Sequence, residues 1–266
     1  MDQNHPITFS LRSDLIIRRV FWSFLCLELL IVFLDVFVNH YKWSSIGAIR
    51  RMVNITREDS LANWISSLQL IIVGTVILTI AFAVKNQNNS DKKKFYCWMG
   101  IAIFFIYMGF DDAIKFHERI GTAFEKILSL FEESTKDGTS QSIFDIFPSY
   151  AWQMIFLPIF IPIGIFIFWF LWKELSIHNL KYLLFPAFGL YALALGLDFV
   201  DGLESDPYNA IADFFSTKTY RIRHMSKAIE EFFEMFGTTI FLIIFLKKLF
   251  NISRIWKIKI ESVVSG

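Results

Sequence analysis

Apolar residues gather into six runs along this chain, each long enough to cross about 30 Å of hydrocarbon at a helical rise of roughly 1.5 Å per residue. Their limits fall near residues 18–39, 61–84, 95–118, 150–172, 181–203 and 224–247. A bilayer offers no water to backbone N–H and C=O groups, so runs of this length are satisfied as helices. The pattern predicts an all-α polytopic membrane bundle of six transmembrane helices, one domain over residues 1–266. Pro158 and Pro162 fall in the fourth run and Pro186 early in the fifth. A membrane helix accommodates them as kinks when neighbours satisfy the freed backbone groups. No internal repeat is visible, because the first run holds two acids and the fourth has little polar content, so an inverted-repeat transporter is not signalled.

Lysine and arginine near the run ends set the orientation. Arg12, Arg18 and Arg19 precede the first run, and Lys85, Lys92, Lys93 and Lys94 join the second to the third. Lys173 and Lys181 flank the next connection on that side, and Lys247, Lys248, Arg254, Lys257 and Lys259 follow the last run. These groups share one side only with an even number of spans, which puts both termini in the cytoplasm, here of a bacterial plasma membrane. Arg50, Arg51, Arg57, Lys218, Arg221 and Arg223 lie on the opposite side, accompanied by acids. Two outer connections are long. The stretch from Glu125 to Pro148, with Glu132, Glu133, Asp137 and Gly138, is expected to begin as a helical continuation and end as a loop. The other, from Gly202 to Tyr220, holds Asp206-Pro207 and an amphipathic piece around Ile211, Phe214 and Phe215 suited to the interface.

Composition agrees with a bilayer as solvent: of 266 residues, 55% are hydrophobic and 18% aromatic. The net charge of +1 comes with no basic patch, which sets nucleic acid aside. Cys26 and Cys97 support neither a disulfide framework nor a thiolate metal site and read as small interior residues. The polar first fourteen residues and the lack of a small-residue cleavage site keep the first span in the mature protein. Trp43, Trp64, Trp98, Trp152 and Trp172 stand near run ends, as an interfacial belt would. Glu58, Asp59 and Asn63 read as a helix N-terminus at the second run.

The informative charges are those inside the runs. Counted up from the cytoplasmic ends, Asp35, Asp111, Asp112, Asp198 and Glu231 all fall roughly 24 to 26 Å up, in the outer half of the bundle. Lys115, His117, Glu118, Asp201, His224 and Lys227 form a tier at roughly 30 to 35 Å, while Glu28 and Glu234 lie deeper. Glu28, Asp35 and Asn39 share one helix face, as do His224, Lys227, Glu231 and Glu234, with Glu230 to the side. Asp111, Lys115 and Glu118 share another, from which His117 points away, making it the weaker site residue.

Acids in hydrocarbon cost about 2.5 to 3.5 kcal/mol each on an insertion scale, so these face inward and need neutralising. Three readings follow. In the leading one, Asp35, Asp111, Asp112, Asp198 and Glu231, with His224 optional, are hard oxygen ligands for Mg²⁺, Mn²⁺, Ca²⁺ or iron. Such a metal would activate water against a membrane lipid or another outer-face substrate, with His224 or a spare carboxylate such as Glu234 as base. The Glu-x-x-His and His-Glu-x-x-His metal signatures are absent. The second reading makes the acids a proton or cation relay in a transporter, with Glu28 and Glu234 as deeper steps, although the runs below Glu28 are apolar. The third is a structural subunit of a membrane complex, in which Lys115, Glu118, Asp201 and Lys227 are interhelical ion-pair partners. Lipid is the expected partner, and the sequence names no protein partner.

The segment Phe110-Asp111-Asp112-Ala113-Ile114-Lys115-Phe116-His117-Glu118 resembles the Asp-Glu/Asp…His-Glu segment of a group of uncharacterised bacterial multi-pass membrane proteins. The likeness covers about one span, extended loosely by Glu230, Glu231 and Glu234. It implies a multi-pass fold and carries no activity. The histidine pair at four-residue spacing of the zinc-dependent membrane hydrolases related to ceramidases has no counterpart in this chain.

Overall fold

A computed structural model describes residues 12–87, 91–135, 149–175, 177–203 and 207–252. Among these residues the chain forms helices and no strand. In order they are α1 (Ser13–Asp35), continued by a π-helical turn Val36–His40, α2 (Gly47–Val53), α3 (Leu61–Lys85), α4 (Lys92–Ile114) and α5 (Phe116–Thr135). After these come α6 (Ala151–Glu174), a 3₁₀ stretch Ile177–Leu183, α7 (Leu184–Asp201), α8 (Tyr208–Phe214) and α9 (Thr219–Ile252). Six helical segments are long and apolar enough to cross a membrane: Ser13–His40, Leu61–Lys85, Lys92–Ile114, Ala151–Glu174, Asn179–Asp201 and Thr219–Ile252. Each overlaps most of one predicted run. An even number of crossings brings Ser13 and Ile252 to one end, called here the terminal end, and leaves the long connections at the other, the polar end.

The third run departs from expectation. It stops at Ile114 instead of continuing to residue 118, because Lys115 adopts a left-handed backbone, φ 51° and ψ 47°, and its N–H bonds back to the Asp111 carbonyl. The chain restarts as α5, which packs against α6. That helix meets the expected continuation past Glu125 as far as Thr135, while Asp137 and Gly138 lie outside the described residues. Near the start of α7, Pro186 sits in the first turn, where its missing N–H leaves no intrahelical bond unmade. Pro158 and Pro162 are carried within an uninterrupted α6.

Packing is centred on α3 and α9. The intimate α3–α4 contact depends on two glycines facing each other's helices. A Cβ on Gly74 would lie 2.5 Å from Ile106 Cγ1 and 3.0 Å from the Ala102 carbonyl, and one on Gly109 would lie 2.8 Å from Ile71 Cγ1. Small residues let helix backbones close on each other where lipid offers no hydrophobic drive. The long α9 packs against α7, α3 and α1. Towards the terminal end the interior is apolar and aromatic. Phe105 meets Phe241 and Phe245 edge to face with ring centroids 5.3 and 5.9 Å apart, Phe241 and Phe245 stack on each other at 6.0 Å, and Ile77, Ile80 and Ile244 are closed off around them.

Trp98 belongs to this core and not to the interfacial belt: it is fully buried, with Phe170 and Phe245 rings against it. Trp43 and Trp64 are exposed, as belt residues would be. Cys26 is exposed on α1 and not interior. Depth along a span is legible from hydropathy, whereas facing is not when lipid and core are both apolar. At the polar end the outer arginines are answered by loop acids, Arg51 and Arg57 by Asp59 and Arg119 by Glu58. The Ser60 hydroxyl caps α3 by accepting the Asn63 N–H. Ile211, Phe214 and Phe215 on and after α8 are exposed, matching the amphipathic expectation. The terminal end has its own clamp, with Lys94 Nζ 2.9 Å from Glu174 Oε1 and Lys248 donating to the Glu174 carbonyl at 3.0 Å.

Candidate functional site

Two carboxylate–histidine pairs mark the polar end. On α1, Asp35 is buried and meets His224 of α9, with Oδ2 to Nε2 at 2.7 Å. Its other oxygen accepts the Asn39 amide at 2.9 Å and the Ile55 N–H at 3.3 Å, so the loop after α2 is fastened to the same acid. On α4, Asp111 pairs with His117 Nδ1, and its Oδ1 also accepts the His117 N–H at 3.0 Å. The His117 ring rests edge-on against Trp152, 4.4 Å between centroids.

His117 is thus the residue that helical counting misplaced. Counting from Asp111 assumes an unbroken helix, but the left-handed Lys115 swings the following turn back so that His117 faces the acid it seemed to avoid. A single backbone break reassigns every position after it.

Lys115 enters the interior between several acids. Its ammonium stands 3.6 Å from Asp112 Oδ1 and 3.7 Å from Glu118 Oε1, and Glu231 and Glu234 of α9 act on it electrostatically. Asp112 is also held by α3, whose Ser67 hydroxyl lies 3.0 Å from Oδ2. Beside this group stands Lys227, 3.5 Å from Asp201 and 3.9 Å from Asp198. Asp198 accepts the Gln153 amide at 2.8 Å, and Asp201 accepts the Tyr150 hydroxyl at 2.7 Å and meets Arg223 Nε at 3.3 Å. Burial and that bond to Asp201 push the Tyr150 phenol above the ordinary tyrosine range, so it remains a donor at neutral pH.

Nearer mid-bundle the polar groups become few and fully enclosed. Glu28 Oε1 accepts from Gln69 Nε2 at 2.8 Å and from the Thr239 hydroxyl at 2.6 Å. Tyr191 and Thr238 hydroxyls meet at 2.5 Å, and Thr238 also donates to the Glu234 carbonyl. Beyond them the aromatic core closes the interior. Glu28 Oε2, Gln69 Oε1 and Glu230 Oε2 are buried without a hydrogen-bond partner among the described residues.

The predicted residues therefore gather at one end, but as linked acid–base pairs and not as one ligand shell. Asp35, Asp111, Asp112 and Asp198 are each drawn to a different base, and among the described residues no three His, Cys, Asp or Glu side chains form a group able to hold a metal ion. Lys115, Glu118, Asp201 and Lys227 do make ion pairs. His224 and Glu234, the two alternative bases, stand about 15 Å apart along α9 at 1.5 Å per residue. Gln69, Gln153, Tyr150, Tyr191 and Thr239 complete the network and were not singled out by sequence. Uncharged groups carry no such cost in lipid, so nothing in their type distinguishes them from ordinary span residues.

A cavity of about 440 Å³ opens at the polar end, lined by Thr56, Asn209, Thr219, Tyr220, Arg223, His224 and Lys227. Its floor is the cation side of the pairs just described.

No curated protein matches this chain, and no solved structure does. One family model covers residues 23–249, from within α1 almost to the end of α9 and thus the whole polar network. The chain belongs to that family, described as Domain of unknown function (DUF8692).

Proposed function

We propose that the protein is a proton-coupled transporter whose glutamates on α9, Glu230 buried and Glu231 and Glu234 half-buried, take up and release the coupling protons. The observation that carries this reading is the excess of acid around two ammonium groups. Glu230, Glu231 and Glu234 lie within about 100° of one another on α9, beside Lys115 and Lys227, and none makes an ion pair of its own among the described residues. Carboxylates held inside a membrane-spanning bundle without an ion pair are costly and mark proton and ion pathways. From the cavity a chain of titratable groups leads inward through His224 with Asp35, Lys227, and the α9 glutamates to Glu28. The aromatic core then blocks the route to the terminal end, which corresponds to one closed state of an alternating-access cycle. With the lysine-rich terminal end in the cytoplasm, the cavity faces outside.

The test uses the full-length protein in liposomes loaded with a pH-sensitive dye and given imposed gradients of small anions, cations and neutral solutes. A solute-dependent internal pH change that Glu231→Gln and Glu234→Gln abolish is expected. No pH change with any solute, or one that survives both substitutions, overturns the reading.

The two carboxylate–histidine pairs favour a second reading, an acid–base enzyme acting on a membrane lipid. In each pair the carboxylate fixes one ring nitrogen and leaves the other to exchange a proton. Neither ring is hydrogen-bonded to a serine, threonine or cysteine side chain among the described residues, so water would be the nucleophile. Time-dependent cleavage of liposomal lipid, lost in His117→Asn or His224→Asn, would favour it over transport.

A further inference from the structure

We infer that the cavity at the polar end binds a phosphate-type anion, either inorganic phosphate or the phosphoryl group of a lipid headgroup. As a binding site this goes beyond the transport reading; as the identity of the transported solute it rests on that reading.

The argument begins with donors and acceptors. The cavity walls carry Arg223, Lys227 and His224, three nitrogen groups able to bear positive charge, together with the Asn209 amide and the hydroxyls of Thr56, Thr219 and Tyr220. Asn209 Oδ1 already accepts the Thr219 hydroxyl at 2.8 Å, which fixes the amide so that its NH₂ is the group left to donate. Among the described residues no carboxylate lines the cavity. The acids stand behind the cations. Asp35 and Asp201 are 1% and 5% exposed at the side chain, whereas Arg223, His224 and Lys227 are 45%, 30% and 31% exposed. Each acid therefore stands behind a cation that lines the opening.

Distances add a second argument. Lys227 lies 3.5 and 3.9 Å from its two carboxylates, too far for a hydrogen bond, so these acids supply field without using its donors. An anion entering from the cavity supplies the short, charge-assisted bonds that the ammonium lacks. The mixture of one guanidinium, one ammonium, one imidazole and several neutral donors suits a group with three charged or polar oxygens better than a two-oxygen carboxylate. A volume of about 440 Å³ admits a free phosphate, a small phosphomonoester or a headgroup reaching in from the membrane surface.

The experiment uses full-length protein in nanodiscs of phosphatidylcholine, titrated with radiolabelled inorganic phosphate. Saturable binding is expected, weakened at least tenfold by Arg223→Gln and by Lys227→Gln and unchanged by Arg50→Gln, which lies outside the cavity. Asn209→Ala removes a donor from an exposed position and should weaken binding about threefold, so the result does not depend on the charge variants folding. A parallel arm replaces part of the phosphatidylcholine with phosphatidylglycerol. If the headgroup is the ligand, free phosphate binds poorly there and native mass spectrometry shows retained anionic lipid that Arg223→Gln and Lys227→Gln release. Absence of saturable phosphate binding together with absence of variant-sensitive lipid retention overturns the inference, as does binding indifferent to all three cavity substitutions. Phosphate binding with no phosphate-driven pH change in liposomes leaves the site standing and removes phosphate as the coupled solute. Proton coupling to another solute with no phosphate binding does the reverse.

Discussion

Glu28 on α1 and Thr239 on α9, 211 residues apart in sequence, meet at 2.6 Å in a position closed to solvent. Gln69 of α3 joins them by donating to Glu28 at 2.8 Å, so three helices are tied at one point. Thr239→Val takes away one of the two donors to Glu28 Oε1 and is therefore expected to lower stability by about 0.5 to 1.5 kcal/mol in thermal unfolding of the detergent-solubilised protein. Glu28→Gln should be far milder, because Oε1 remains an acceptor and an NH₂ replaces an oxygen that has no partner. Equal loss in the two variants would contradict this account of the knot.

The α3–α4 interface should tolerate no added side chain. Gly74→Val and Gly109→Val place carbon against Ile106, Ile71 and backbone carbonyls, and overpacking of this kind costs about 1 to 3 kcal/mol each. Gly100 has nothing within 4 Å of where its Cβ would stand, so Gly100→Ala serves as the control. Monodispersity on size exclusion, followed on heating, separates them.

At Lys115 backbone and charge can be told apart. Lys115→Gly and Lys115→Ala both remove the ammonium, but only alanine must hold a left-handed conformation, at about 1 to 2 kcal/mol. The glycine variant is expected to be the more stable by that margin in the same unfolding assay. A more stable alanine variant would mean that α4 and α5 can fuse into one helix at no loss, and that the break is not required by packing.

That break also marks where the sequence stops being readable. The six spans follow from apolar length, and the described structure agrees with them within a few residues. His117 does not follow, because one left-handed residue invalidates helical phase downstream of it and Lys carries no mark of that conformation. Nor does the division of the acids among different bases: sequence shows that Asp35, Asp111 and Asp198 share a level, but tertiary packing decides that each turns to a different partner. Trp98 looked interfacial because depth was legible and facing was not.

The metal question can be settled directly. With no three-ligand group among the described residues, purified protein is expected to carry substoichiometric Mg, Mn, Ca and Fe by plasma mass spectrometry. Asp111→Asn and Glu231→Gln should leave those values unchanged. Stoichiometric metal in the unsubstituted protein, lost in either variant, would restore the hard-oxygen site and displace the proton reading.

At the terminal end, Glu174→Gln should loosen the link between α4, α6 and α9 that Lys94 and Lys248 make through it. The part-buried Lys248 is left without its counter-charge, so a loss of about 1 to 3 kcal/mol is expected, larger than for an exposed surface pair. Asp59→Asn, breaking exposed pairs with Arg51 and Arg57, is the comparison and should change unfolding little.

Asp111 is both the residue whose carbonyl ends α4 and the one whose carboxylate grips the first turn of α5 by peptide N–H and imidazole together. The direction in which α5 leaves α4 is thus held at its first turn, where one acid spans the left-handed residue and joins the last turn of one helix to the first turn of the next.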